Sequence, residues 1–279
     1  MFLNRRAGAF AIAAVWGVLA LTLGTGSVAQ AQEQEVQVLT LVDHSSSEAA
    51  LHDSDNLRTS DYVYENYKWD EDSVTFKVNP NSQHAGADSG SAEDFLTSIR
   101  RAANTWTYEE SAGISFVYGG ESLSTAVGYN GANEIVFVDM GLTTAAGDAQ
   151  PLAVASIFYV DSTIVEADIA LNDAYAWDAT GTPALGEVDL QSVAMHELGH
   201  LLGLGHDGDE QAVMYGSMTL GLLKWALHDN DRRGIAAIYP CTPAEECNPD
   251  TAPQPPLLDA PPLPPAVKSS WVFLPHLQR

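Results

Sequence analysis

The sequence predicts an α/β fold, in the α+β sense of one twisted, mostly parallel mixed sheet packed with helices. Three observations carry this prediction. Short apolar or alternating runs of strand length are interleaved with segments of helical period. One helical segment opens at Ser91 with a capping signature and an apolar stripe. A later one opens at Asp189 and runs into a histidine-rich stretch that ends at Gly203. Strands and helices in such alternation bury their apolar faces by stacking in layers.

In chain order, Tyr67-Lys68-Trp69 and then Val74 to Asn79 alternate apolar and polar residues up to Pro80, which cannot donate to a ladder. This is the first expected strand, and the folded domain is expected to begin near Tyr67. Ser91 is followed three residues later by Asp94, and Phe95, Ile99, Ala102, Ala103 and Trp106 share one helical face, a core face with no chemistry implied. Strand-like runs follow at Ile114–Tyr118, Glu134–Val138, Val154–Tyr159 and Ile164–Leu171. Asp189 is a good N-cap for a helix that turns Leu190, Ala194, Leu198 and Leu201 inward.

That helix carries His196-Glu197-Leu198-Gly199-His200, followed by Gly203 and His206. Residues four apart lie one above the other on a helix, so His196 and His200 can grip one metal ion, with Glu197 beside it but not a ligand. Gly203 can take the left-handed conformation that ends a helix, letting the chain double back and deliver His206 as a third ligand. Three imidazoles on a tetrahedral ion leave one corner for water, as a catalytic zinc site requires. Zinc lowers the pKa of a bound water to about 7 and polarises a carbonyl. Glu197 is then the expected general base, taking the water's proton and passing it to a leaving amine. Chance histidines on a buried helix are the competing explanation. A third histidine and a glycine in register weigh against it.

The run Val193 to His206 resembles the active-site helix of the metzincin metallopeptidases, and among them the matrixins. Met214-Tyr215 follows where matrixins carry the Met-turn beneath the zinc. The resemblance implies a metzincin-like fold with the active-site helix and Met-turn below the cleft, one catalytic zinc and protein or peptide substrates. It further implies that Val154 to Phe158 is the edge strand of the cleft. Main-chain groups of Val154, Ala155 and Ser156 would pair there with an extended substrate, although an ordinary strand reads as well. His228-Asp229-Asn230-Asp231, leading to Ile238 and Pro240, resembles the C-terminal matrixin helix. Asp231 there is either a partner for a mature N-terminus or a surface acid near a helix start.

The chain also departs from the matrixin pattern. Ala170 stands where a structural-zinc histidine would be, and no histidine occurs between His84 and His196, so a second zinc site is not expected. Asp139, Asp148, Asp161, Asp168 and Asp173 are candidate calcium ligands instead. Gly216-Ser217-Met218 replaces the usual Pro-x-Tyr wall of the specificity pocket, so Met218 would form a loose apolar wall. Gly216 also lacks the side chain that reaches the metal in some metzincins. Asp207 replaces the usual serine and is expected to hold the turn by hydrogen bonds to nearby backbone.

The ends of the chain are of other character. Residues 1–31, with Arg5, Arg6, an apolar run from Ala7 to Leu23 and Ala29-Gln30-Ala31, read as a secretory signal, or else an uncleaved anchor. After cleavage no membrane span is expected. Residues 32–66 read as a flexible N-terminal arm or a short propeptide, patterned only at Val36-Leu39-Leu41. Within it His44 and His52 are either solvent-exposed or caps on the zinc of a latent form. The peptidase domain spans 67–240.

Residues 241–270 form a cysteine loop, Cys241 with Cys247, and a Pro-rich linker. The apolar 271–279 tail is a docking or sorting tag, or a sticky end. No cysteine precedes Cys241 in the sequence, so the cysteine latch common in matrixins is not expected. The net charge of −25 argues against nucleic acid and anionic membranes as partners. A secreted monomeric zinc endopeptidase is the principal expectation. A zinc-containing extracellular binding or adhesion module is the alternative, to which a carboxylate at Glu197 would be of no use.

Overall fold

The computed structural model describes residues 36–45, 57–59, 62–81, 89–143 and 150–241. The expected signal, His52, His84, Asp148, Cys247, the Pro-rich linker and the tail lie outside these residues. Cys241 is disulfide-bonded, and Cys247 is the chain's only other cysteine.

A seven-stranded mixed sheet organises the described residues. At its centre β8 (Thr163–Asn172) pairs antiparallel with β7 (Ala153–Val160) and parallel with β6 (Asn133–Val138). Beyond β6 come β4 (Ser73–Val78) and β5 (Ser115–Glu121), both parallel. β4 alternates as its sequence requires, with Val74, Phe76 and Val78 buried and the residues between them exposed. The β7–β8 connection is a tight turn in which Asp161 takes a φ of 56°, which Asp tolerates better than most residues.

On the other side of β7 lies β1 (Gln37–Ser45), antiparallel to it, and at the margin β11 (Ser217–Met218), parallel to β1. The expectation that Val154–Phe158 forms an edge therefore differs from the structure, because Val42, Leu41 and Thr40 stand opposite Val154, Ala155 and Ser156. The weak pattern at Val36-Leu39-Leu41 was the one sign of β1 in the sequence. Two small pairs complete the strands: β2 (Leu57–Thr59) with β3 (Tyr62–Tyr64), and β9 (Trp177–Asp178) with β10 (Val188–Asp189).

Of the three helices among the described residues, the first two pack with the seven-stranded sheet and the last lies against β3. α1 (Ala92–Thr107) opens on the expected capping box, the Ser91 hydroxyl accepting the Asp94 N–H while the Asp94 carboxylate accepts the Ser91 N–H. Its buried face includes Phe95, Ile99, Ala102, Ala103 and Trp106, as the stripe predicted. The Trp106 indole donates to the Met195 carbonyl at 2.8 Å, tying α1 to α2 (Leu190–Leu201). α3 (Asp229–Ile238) closes the domain with its own capping box at His228. No helix among the described residues is long and apolar enough to cross a membrane.

The loop between β5 and β6 is fastened by carboxylates on β6 and β8. Glu166 accepts the N–H groups of Asn130 and Gly131, and Asp168 accepts those of Gly128 (2.8 Å) and Glu134 (2.8 Å). Glu134 accepts the Asn130 amide at 3.0 Å. Two of the acids read as candidate calcium ligands thus hold backbone, Asp168 and also Asp139, which accepts the Gly141 N–H at 2.9 Å. Among the described residues Asp139, Asp161, Asp168 and Asp173 do not gather into a three-ligand cluster.

Candidate metal centre

α2 is buried along its whole length, which makes its ends the places where backbone groups must find partners. At the N-terminus Asp189 accepts the Ser192 N–H at 2.8 Å and the Trp225 indole at 2.8 Å. Burial pushes the Asp189 carboxyl up from the usual carboxylate range, against these hydrogen bonds. At the C-terminus the Trp69 indole donates to the Leu201 carbonyl at 2.7 Å, and the Gly203 N–H donates to the His200 carbonyl at 2.9 Å. Gly203 has a φ of 90°, and a side chain on it would collide with the Tyr67 carbonyl oxygen. The chain turns here as the sequence predicts and brings His206 back to the helix.

The three histidines converge. His196, His200 and His206 offer nitrogen atoms that all lie within 4.8 Å of one another, and among the described residues no other group of three His, Cys, Asp or Glu does so. Ring centroids are 4.7 Å apart for His196 and His200, 5.3 Å for His196 and His206, and 4.9 Å for His200 and His206. The Nδ1 atoms of His196 and His200 lie 2.7 Å from the carbonyl oxygens of Val213 and Leu204, respectively. A carbonyl only accepts, so each Nδ1 is the protonated nitrogen and each Nε2 carries the lone pair. Three imidazoles, two oriented in this way, fit a zinc ion's preference for nitrogen donors held by outer hydrogen bonds.

Beneath the triad, the segment after His206 folds against α2. Met214 is buried, and a side chain on Gly199 would strike its sulfur. Asp231, at the third position of α3, accepts the N–H groups of Val213 (2.9 Å), Met214 (3.1 Å) and His228 (2.7 Å). It is 2% exposed, so it is not the surface acid of one of the two expectations. Lys224, which the sequence reading passed over, is also buried. Its Nζ donates to the Ala212 carbonyl at 2.7 Å and stands 5.3 Å from the centre of the Tyr215 ring, and burial lowers its pKa. A lysine between apolar residues reads as a surface charge, so no signal pointed to it.

Asp207 holds its turn as expected, its carboxylate accepting the Asp209 N–H at 2.6 Å and the Asn230 amide at 3.2 Å. A Cβ on Gly216 would press against the His206 ring at 3.0 Å. Leu152, Val193, His196, Glu197, Tyr215, Ser217 and Met218 line one small pocket. Its free volume is ≈ 10 Å³, the order of a single water. Of the expected substrate contacts, Met218 lies on this pocket, while Val154, Ala155 and Ser156 lie along β7 against β1. A larger cavity of ≈ 440 Å³, between β4 and β8, contains none of the triad.

A mixed sheet with three helices, one of them delivering two of three convergent histidines, defines the class of metal-binding α/β domains. Comparison with known proteins narrows it. The Matrixin peptidase family model matches residues 68–240, and this chain belongs to the matrixin family. It is 30% identical over 191 residues to metalloendoproteinase 1-MMP of Arabidopsis thaliana, covering 65% of this chain and 47% of that one. Similarity to mouse matrix metalloproteinase-16 is 27% over 207 residues, covering 72% and 32%. Metalloendoproteinase 1 of Glycine max is 46% identical over 66 residues, covering 24% and 22%. The chain thus spans less than half the length of these relatives.

Proposed function

We propose that this protein is a secreted zinc-dependent endopeptidase whose domain of residues 67–240 hydrolyses peptide bonds in protein or peptide substrates. The observation that carries the proposal is the meeting of His196, His200 and Glu197, all on one buried helix, with His206 from the turn after it, beside a pocket. His196, His200 and His206 hold the zinc. The bound ion supplies a Lewis acid and lowers the pKa of the water it holds. Glu197, next to His196 and on the pocket wall, accepts the proton of the attacking water. It then delivers that proton to the amine that departs when the peptide C–N bond breaks. Backbone groups of Val154, Ala155 and Ser156, which pair with β1 in this structure, would orient an extended substrate by strand addition only with β1 moved aside, and Met218 forms the wall that receives an apolar side chain. Membership of the matrixin family and the metalloendoproteinase relatives support this reading.

Export by a cleaved signal at residues 1–31 is part of the proposal, supported by the Arg5-Arg6 start, the apolar run and the Ala29-Gln30-Ala31 site. One zinc per chain is the metal content it requires. Purified protein incubated with casein, with and without a chelator and beside Glu197→Ala, is the deciding experiment. Cutting is expected only from the zinc-loaded wild type, because Glu197 contributes about 10²–10⁴-fold. Equal cutting by wild type and variant refutes the mechanism. A binding module would retain zinc and cut nothing.

A further inference from the structure

The large sheet has a gap between β4 and β8. On the side away from β7, β8 pairs with Lys68 opposite Thr163 and then with β6 only from Ile169 onward. β6 first meets β4 at Phe76, opposite Asn133, although β4 begins at Ser73. Between Lys68 and Asn133, therefore, β4 and β8 face each other with no described strand between them, about 10 Å apart at two strand spacings. This is the cavity of ≈ 440 Å³, a size at which pockets hold ligands. The Asn133 side chain closes one end as a peptide group would, its amide donating to the Thr75 carbonyl at 2.9 Å and its oxygen accepting the Ala167 N–H at 2.7 Å. Because Thr75 turns its carbonyl to this side, its N–H and both main-chain groups of Ser73 turn to it as well.

Main-chain groups along one wall and mixed side chains suit an extended peptide. Val74 and Ile164, both buried, lie at the floor of the gap, and Val165, 41% exposed, lies at its mouth. Asp70 and Glu71 are exposed on the rim, with Lys77 also in the lining. The chain leaves the domain at this same place. Pro240 pairs with Ala112, the Tyr239 carbonyl accepts the Gly113 N–H at 2.9 Å, and the Tyr239 hydroxyl accepts the N–H of Trp69, which lines the gap, at 3.0 Å. Ser115, just beyond, stands opposite Ser73. Further along the chain, Trp271-Val272-Phe273-Leu274 has the composition of a strand, closed by Pro275. Residues 260–279 contain no Asp or Glu and carry Lys268 and Arg279, in a chain of net charge −25. The Pro-rich residues 242–270 reach about 90 Å when extended at about 3.1 Å per residue, far more than the path back to the gap requires.

We propose that the gap between β4 and β8 is a strand-insertion site and that residues 271–274 of the same chain occupy it. Ser73 and Thr75 supply the main-chain bonds. Side chains alternate along a strand, so two of the four inserted residues face Val74 and Ile164 and the other two lie outward beside Val165. Lys268 and Arg279, on either side of the insert, bring positive charge to the rim that holds Asp70 and Glu71. The gap contains none of the histidine triad, so the docking stands apart from the endopeptidase reading.

The test uses the full chain in a Glu197→Ala background, so that no cutting removes the tail. Neighbouring N–H groups on a strand point to opposite sides, so Val272→Pro with Phe273→Pro removes a donor towards either wall and changes no residue of the sheet. The probe is a fluorescein-labelled synthetic peptide of residues 268–279, followed by anisotropy. The tail variant is expected to bind it at least about tenfold more tightly than the parent, whose own tail fills the gap at a local concentration of roughly millimolar order. Adding Asp70→Lys with Glu71→Lys to the tail variant, or Val165→Lys alone, should weaken that binding about tenfold by setting like charges against Lys268 and Arg279. These positions are exposed, and two independent sets guard against misfolding of either. Equal affinity for parent and tail variant, binding by neither, or binding indifferent to both sets overturns the proposal. Dimerisation of the parent that rises with concentration and is lost in the tail variant would give the gap to the tail of a second copy, and overturns the internal assignment.

Discussion

The Asp231 carboxylate accepts the backbone N–H of Val213 at 2.9 Å, and the carbonyl of that same residue stands 2.7 Å from His196 Nδ1. One residue of backbone thus links an acid on α3 to a candidate metal ligand on α2. Such outer partners fix the ring and the tautomer of a ligating histidine. Burial pushes the Asp231 carboxyl up, against the pull of its amide donors Val213, His228 and Met214.

Asp231→Ala should therefore leave buried amides without an acceptor, at a cost of about 3 kcal/mol or more. Zinc affinity should fall about 10–100-fold with it. Denaturant unfolding and competition with a chromogenic chelator measure the two effects. If stability drops while zinc affinity holds, the carboxylate braces the fold without orienting His196.

Gly199 sits between the candidate ligands His196 and His200 and faces the Met214 thioether. Alanine at this position would gain up to about 1 kcal/mol in helix propensity. The added Cβ would nevertheless strike the Met214 sulfur and come within 3.0 Å of the Trp106 ring. Overpacking of this kind costs about 1–3 kcal/mol, so the steric effect wins. Gly199→Ala is expected to lower the melting temperature, and Gly199→Ala with Met214→Ala to recover part of the loss. A single variant as stable as wild type would show that the segment around Met214 yields freely.

Much of this centre was legible in the sequence because helical geometry converts spacing into position. His196 and His200 share a face by their separation alone, Gly203 stands at φ 90° where the chain must bend, and Ser91 and Asp94 form the capping box they spell. What was not legible depends on partners distant in the chain. β1 shows only the weak pattern at Val36, Leu39 and Leu41, and its pairing with β7 joins segments more than a hundred residues apart, which such a pattern does not specify. Lys224 and Asp231 look like surface charges until the fold buries them against carbonyls and amides around Met214. The edge expected at Val154–Phe158 failed for the same reason as β1: its neighbour could not be read.

Lys224 offers a prediction that separates charge from packing. Its Nζ donates to the Ala212 carbonyl while its backbone N–H donates to the Ser192 hydroxyl at 2.7 Å, so the residue bridges the Met214 segment and the start of α2. Lys224→Met keeps the backbone bond and most of the apolar stem and loses the donor, a cost of about 1–2 kcal/mol. Lys224→Ala loses the stem over Tyr215 as well and should cost more. Thermal unfolding of the two variants orders them. Equal losses would mean that the stem contributes nothing.

The fastening of the β5–β6 loop should leave a pH signature. Asp168 has its pKa pushed up to about 6, burial being the largest cause, opposed by the amides of Gly128 and Glu134 and reinforced by the carboxylates of Glu166 and Glu134. In the unfolded chain the same carboxyl titrates at its ordinary value of 3.8. Between about pH 4 and pH 6 the folded protein therefore holds more of this proton than the unfolded chain, and linkage makes its contribution to stability fall as pH rises through that window. Above about pH 6 the fold carries the full cost of a buried carboxylate, offset by the two amide bonds. Asn at this position cannot ionise and still offers one carbonyl oxygen to an amide. The melting temperature of Asp168→Asn minus that of wild type should thus become more positive, by a few degrees, from about pH 4 to about pH 7.5. Taking the difference cancels groups that titrate alike in both proteins. A difference that stays flat or shrinks across this range would show that Asp168 ionises in the folded protein at its ordinary pKa, with the amides of Gly128 and Glu134 outweighing its burial.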